Sequence, residues 1–138
     1  MSDLVRLSFS IEKPLYKRLE RLMRASRNQN RSEFLRDLIR GRLVEQAWEL
    51  NEEALGTITL IYNHHVRQLS DKLTDLQHEH HHNIMATTHV HLDHDNCAEM
   101  IMVKGRADDI RKLAEALGSQ KGVLHAALSM SSTGKRLE

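Results

Sequence analysis

The chain has 138 residues, 40% apolar and 28% charged, with a formal net charge of +1. That allows one compact domain or two small ones and excludes both a large multidomain enzyme and wholesale disorder. With no apolar run near the ~20 residues of a membrane span, no leader-like opening and a single cysteine, a cytoplasmic protein without a membrane partner is expected.

The average conceals an asymmetry. Residues 1–47 hold eleven Lys/Arg against six Asp/Glu, a balance of +5, and the rest of the chain balances to −4. Ten histidines, seven of them between His78 and His94, stand against five Phe, Trp and Tyr residues. A basic first third and a histidine-rich remainder point to two tasks in one chain.

In the basic part, Val5, Leu7, Phe9 and Ile11 alternate with Arg6, Ser8 and Ser10, which is the period of a strand. Pro14 suits the first turn of a helix, and Leu15, Leu19, Leu22 and Met23 give that helix one apolar stripe. The polar stretch 27–30 breaks it. Asn30 then caps a second helix, with Glu33 placed to close a capping box and Phe34, Leu35, Leu38, Ile39 and Leu43 on its apolar face. One strand and two helices cannot satisfy the strand's backbone or bury this surface alone. Two chains can, by pairing their strands as an antiparallel ribbon under four helices. Arg6, Ser8 and Ser10 then form a polar row on a ribbon that fits the DNA major groove. The second helix's N-terminus, Asn30, Arg31 and Ser32, offers N–H groups to a phosphate. The plainer reading is a solvated strand face in a dimerisation module.

Residues 48–55 read as a linker. From there the pattern gives a strand over 57–62, a helix over 65–79, strands over 83–92 and 99–103, a helix over 106–117 and a last strand over 123–130. The order β-α-β-β-α-β is that of a ferredoxin-like sheet with two helices on one face. The fold class is thus α+β, with domains at 1–47 and 56–133 and a tail at 134–138.

His89 and His91 share one side of their strand, and Cys97 follows where the chain turns back. Imidazoles with a thiolate suit late first-row divalent ions, zinc if tetrahedral, nickel or copper if planar. The run His78 to His82 reads equally as a metal-scavenging tract or a solvated loop.

Together, Asn30-Arg31-Ser32-Glu33 in a βαα segment and His78, His89, His91 and Cys97 in a ferredoxin-like segment resemble the NikR family of nickel-responsive transcription regulators. The resemblance runs from about residue 4 to 130 and is strongest over 88–97. It implies a ribbon-helix-helix domain that binds double-stranded operator DNA, and a homotetramer, a dimer of dimers, built on the C-terminal domains. It implies one Ni2+ per subunit in a planar site, with His89, His91 and Cys97 from one chain and His78 from its neighbour. Glu99 is expected beside the site, fixing a ligand imidazole. Glu33 and Asp37, at i and i+4, either pair with Arg36 and Arg40 or, by the resemblance, help hold a second cation. The function expected is a nickel-dependent regulator, a repressor of metal uptake. The alternatives are a metal buffer or chaperone, and a metal-dependent hydrolase with an open coordination position.

Overall fold

The computed structural model describes residues 3–26 and 30–138, in two compact units, Met1–Arg40 and Gly41–Glu138. In the first unit, α1 spans Lys13–Ala25 with Pro14 in its first turn, where a missing N–H forfeits no helical bond. The second helix, α2, spans Arg31–Glu49 and so runs through the unit boundary. Asn30 caps it: its Oδ1 accepts the N–H of Ser32 at 2.9 Å and of Glu33 at 3.3 Å. The expected polar break at 27–30 lies, apart from Asn30, outside the described residues.

The strand expected over 5–11 is not formed within one chain. Residues 3–12 carry neither helix nor ladder. A strand exists only by sharing hydrogen bonds with another strand, and this unit contains no second one among its described residues. Its apolar side chains stay uncovered, Val5 at 80%, Leu7 at 86% and Phe9 at 64% exposure, and Leu15 and Leu22 of α1 and Leu38 and Ile39 of α2 are exposed with them.

The second unit holds β1 (Glu53–Asn63), α3 (Leu69–Glu79), β2 (Ile84–His91), β3 (Asn96–Arg106), α4 (Ala107–Gly118) and β4 (Val123–Ser131). This is the expected ferredoxin-like order. The sheet is antiparallel, in the order β2-β3-β1-β4. Strand alternation sends Ile58, Leu60 and Tyr62 of β1 and Ile101 and Val103 of β3 into a core with Leu69 and Leu73 of α3 and Ile110, Leu113 and Leu117 of α4. Their neighbours Met100 and Met102, with Val90 of β2, are exposed.

Several boundaries differ from the sequence reading: β1 and β3 are longer than the expected 57–62 and 99–103, and the first unit ends at Arg40, before the expected 47. Residues 48–55 hold the end of α2 and the start of β1, and Trp48 is a core residue at 1% exposure. The α3 helix begins at Leu69 instead of His65. The residues before it are tied elsewhere: the His64 N–H donates to the Asp95 carbonyl at 3.0 Å, and the His65 N–H to Asn63 Oδ1 at 2.8 Å. No helix of the described residues is long and apolar enough to cross a membrane.

Candidate metal centre

The site is built at the turn between β2 and β3. The Asp93 carboxylate accepts the N–H of Asp95 at 2.9 Å and of Asn96 at 2.8 Å, and these bonds hold its pKa below the usual carboxylate value. The Leu92 N–H donates to the Asn96 carbonyl at 2.9 Å. The tight reversal sets a register in which His91 faces Cys97 and His89 faces Glu99, while on the other side of β3 Tyr62 faces Cys97. All lie on the helix-covered face of the sheet.

Cys97 is wholly buried, and its Sγ lies 3.2 Å from His91 Nδ1. The third donor gathered with them is His64, just beyond β1; the donor atoms of His64, His91 and Cys97 all lie within 4.8 Å of one another. His89 is adjacent, its ring centroid 5.2 Å from that of His91, but its Nδ1 is engaged with the Tyr62 hydroxyl at 3.2 Å. Burial, with the charges of Glu99 and Cys97, pushes the Tyr62 pKa up to about 12. The hydroxyl therefore keeps its proton at neutral pH, and this bond fixes the orientation of the His89 ring. His78 is exposed on the last turn of α3, apart from the trio.

Glu99 stands opposite His89 across the β2–β3 ladder. Its buried carboxylate accepts a hydrogen bond from Gln77 Nε2 at 3.1 Å, and Gln77 Oε1 in turn accepts from Thr87 Oγ1 at 3.1 Å. The group seen bonded to a candidate ligand imidazole is Tyr62. The histidine run serves α3: His80 Nδ1 meets the Leu76 carbonyl at 2.9 Å and His81 Nδ1 the His78 carbonyl at 3.0 Å.

Sequence reasoning missed His64, Tyr62 and Gln77. The pair His64-His65 was the signal available for the first. A tyrosine in a strand and a glutamine on a helix carry no pattern that marks them.

In the N-terminal unit, Arg6, Ser8, Ser10, Asn30, Arg31 and Ser32 are all exposed. The N–H of Ser32 is already held by Asn30, and the Arg31 guanidinium donates to the Tyr16 hydroxyl at 2.7 Å and lies over its ring. Arg40 Nη1 bonds both Glu33, at 3.1 Å, and Asp37, at 3.0 Å, and Arg36 also pairs with Glu33. The geometry supports the ion-pair reading of these two carboxylates.

The donor set of the centre fits a late first-row metal. A buried thiol packed against one imidazole, with two more at hand, matches the ligand softness of nickel, copper and zinc and not that of magnesium or calcium. Tyr62→Phe is expected to weaken metal binding about ten- to hundredfold by freeing the His89 ring, with the fold retained. Chelator competition measures it, and unchanged affinity would remove Tyr62 from the site.

Both segments of the chain match known families. Residues 5–46 match the ribbon-helix-helix family of copG type, and residues 55–131 match the family described as the NikR C-terminal nickel binding domain. A Solibacter usitatus protein named a nickel-responsive regulator is 48% identical over all of both chains. One of the same name from Geobacter metallireducens is 49% identical over 99% of each, and one from Desulfotalea psychrophila 49% over 97% of this chain and 98% of its own. A solved structure of an uncharacterised Thermotoga maritima protein shares the fold at a TM-score of 0.52 and 16% identity, covering 57% of this chain and 98% of that one. The class is thereby defined as a two-domain regulator, not an enzyme, that joins a ribbon-helix-helix unit to a ferredoxin-like metal-binding unit. This chain belongs to the NikR family of nickel-responsive regulators.

Proposed function

We propose that this protein is a nickel-dependent repressor of nickel uptake that binds operator DNA through its N-terminal ribbon when metal occupies the C-terminal site. The observation that carries the reading is the buried Cys97 thiol 3.2 Å from His91 Nδ1, in a chain whose first unit has a ribbon-helix-helix sequence. His89, His91 and Cys97 hold one Ni2+ per chain, and His78 of a neighbouring subunit completes the set. Bound nickel supplies a positive charge that joins two chains at a single thiolate-containing site. His78 is exposed on the last turn of α3, where its side chain is open to another subunit. The uncovered side chains of Val90, Met100 and Met102 offer an apolar sheet face for assembly into a tetramer.

The apolar row of Val5, Leu7 and Phe9 pairs with its counterpart in a second chain, which turns Arg6, Ser8 and Ser10 outward as the DNA-reading row. Asn30, Arg31 and Ser32 flank it as phosphate contacts. Nickel and DNA are linked as any two ligands of one protein are, so operator DNA tightens nickel binding by the factor by which nickel tightens DNA binding.

Operator titrations with and without nickel test this reading. Nickel is expected to strengthen binding to a palindromic site upstream of a nickel-uptake gene and to leave nonspecific DNA unaffected; equal affinity in both states overturns the proposal. Arg6→Ala is expected to weaken operator binding by ~1–3 kcal/mol with nickel affinity unchanged. Mixed tetramers test the shared ligand set. Chains with His78→Ala and with Cys97→Ala each fail to form the thiolate site alone, and co-assembled they recover part of it. No recovery in verified mixed tetramers means that all ligands come from one chain.

A further inference from the structure

The last turn of α2 and the first turn of α4 cap one another. Beyond Glu49 the chain closes α2 through a left-handed residue, Asn51, at φ 54°. The Asn51 N–H donates to the Trp48 carbonyl at 3.3 Å and the Glu52 N–H to the Ala47 carbonyl at 2.8 Å, which satisfies carbonyls left over at the helix end. At the start of α4, the side chain of Arg106 supplies no cap. The caps come instead from the residues that have just left α2. The Ala107 N–H donates to the Glu52 carbonyl at 3.1 Å, and the Asp108 N–H to Asn51 Oδ1 at 2.9 Å.

Arg111, one turn into α4, returns the bond. Its Nη1 donates to the Trp48 carbonyl at 3.2 Å and to Asp108 Oδ1 at 3.1 Å, while its guanidinium lies over the indole. The negative end of one helix dipole thus meets the positive end of another, with a cation at the first and a carboxylate at the second. Trp48 is the buried residue of α2, so the helix is held to the core at this end.

We propose, on the reading that nickel controls operator binding, that Asn51 and Arg111 are positioning residues: they clamp α2 to α4 and so carry the nickel state of the C-terminal unit to the DNA-binding unit. The helix α2 continues without interruption into the first unit, and its 19 residues form a rod about 28 Å long. What holds its last turn therefore holds its axis. On the other side, α4 packs through Ile110, Leu113 and Leu117 into the core that includes Cys97. A last turn free to swivel would leave the ordering cost of DNA binding untouched by nickel. A clamped one lets metal lower that cost.

The test measures operator affinity of the full-length protein with and without nickel, nickel affinity by chelator competition, and hydrogen exchange. Asn51→Gly keeps the left-handed backbone and removes the side-chain acceptor, whereas Asn51→Asp retains an oxygen that accepts the Asp108 N–H. Arg111→Met removes the donor from the opposite side of the clamp. The nickel-induced gain in operator affinity is expected to fall about two- to thirtyfold in Asn51→Gly and in Arg111→Met and to persist in Asn51→Asp. Nickel affinity without DNA and operator affinity without nickel stay at parental values. Amides 46–52 and 107–110 exchange faster together in both weakened variants. A merely structural role for the two residues would lower the melting temperature and leave the gain intact, which overturns the proposal. So does a loss in Asn51→Asp as large as in Asn51→Gly. A parent whose operator affinity ignores nickel overturns the regulatory reading and the clamp's role with it. A nickel-responsive parent with undiminished gain in both weakened variants overturns the clamp alone.

Discussion

Cys97→Ser is expected to abolish the thiolate-to-nickel absorption and to weaken nickel binding by more than about a hundredfold. Replacing a group that merely orients a metal ligand costs up to about that factor, so removing the one thiolate of the set lies above it. The fold should survive. Serine is close in size to cysteine, and its hydroxyl can take up the hydrogen bond to His91 Nδ1 that the wholly buried thiol now makes. Operator binding by this variant should be indifferent to nickel, while the ribbon-helix-helix unit stays folded. Chelator competition, absorption and far-ultraviolet melts together measure these effects. Nickel binding of parental strength and absorption in the serine variant would place the metal elsewhere.

The second large effect is on stability. Trp48→Ala should destabilise the C-terminal unit by ~3–5 kcal/mol, the usual range for emptying a large aromatic position in a core. In a unit of roughly 100 residues that lowers the melting temperature by more than ~12 °C. The indole is 1% exposed, and its Nε1–H donates to the Ser131 carbonyl at the end of β4 at 2.9 Å. Arg111 lies over its ring, 5.4 Å from the centroid, and donates to the Trp48 carbonyl at 3.2 Å. Gly56 leaves room for it: a Cβ there would sit 3.3 Å from the indole and 3.0 Å from Ile110. Trp48→Phe keeps most of the packing and loses the N–H donor, so it should cost ~1–3 kcal/mol. Differential scanning calorimetry orders the three proteins. An alanine variant that melts with the parent would show that Trp48 belongs to a linker after all.

That residue also shows where sequence reasoning stops. Residues 48–55 have weak periodicity, and a lone tryptophan among glutamates and glutamines carries no pattern of its own. Its burial arises from distant elements, among them Arg111 of α4 and β4, more than eighty positions away, whose last carbonyl accepts the indole N–H hydrogen bond. Register-dependent facts of this kind lie outside any local window. The same holds for His64, which reaches Cys97 only because the turn after β1 bonds the turn before β3, and for Gln77, which spans from α3 to Glu99 and Thr87.

What the sequence determined by itself was whatever depends on periodicity and on donor chemistry. Alternation at 89–92 put two imidazoles on one side of a strand, the βαββαβ order followed from switches between periods of two and 3.6, and Cys97 with histidines named the class of metal. Tertiary structure decided which imidazole stands beside the thiol, which hydroxyl holds His89 and why Glu99 turns to Gln77. These depend on cross-strand register and on the packing of α3, which are set by the whole core at once. The segment 5–11 lies beyond even that. Its alternation specifies which face is apolar, but backbone groups in a strand are satisfied only by another strand, and the N-terminal unit holds none among its described residues.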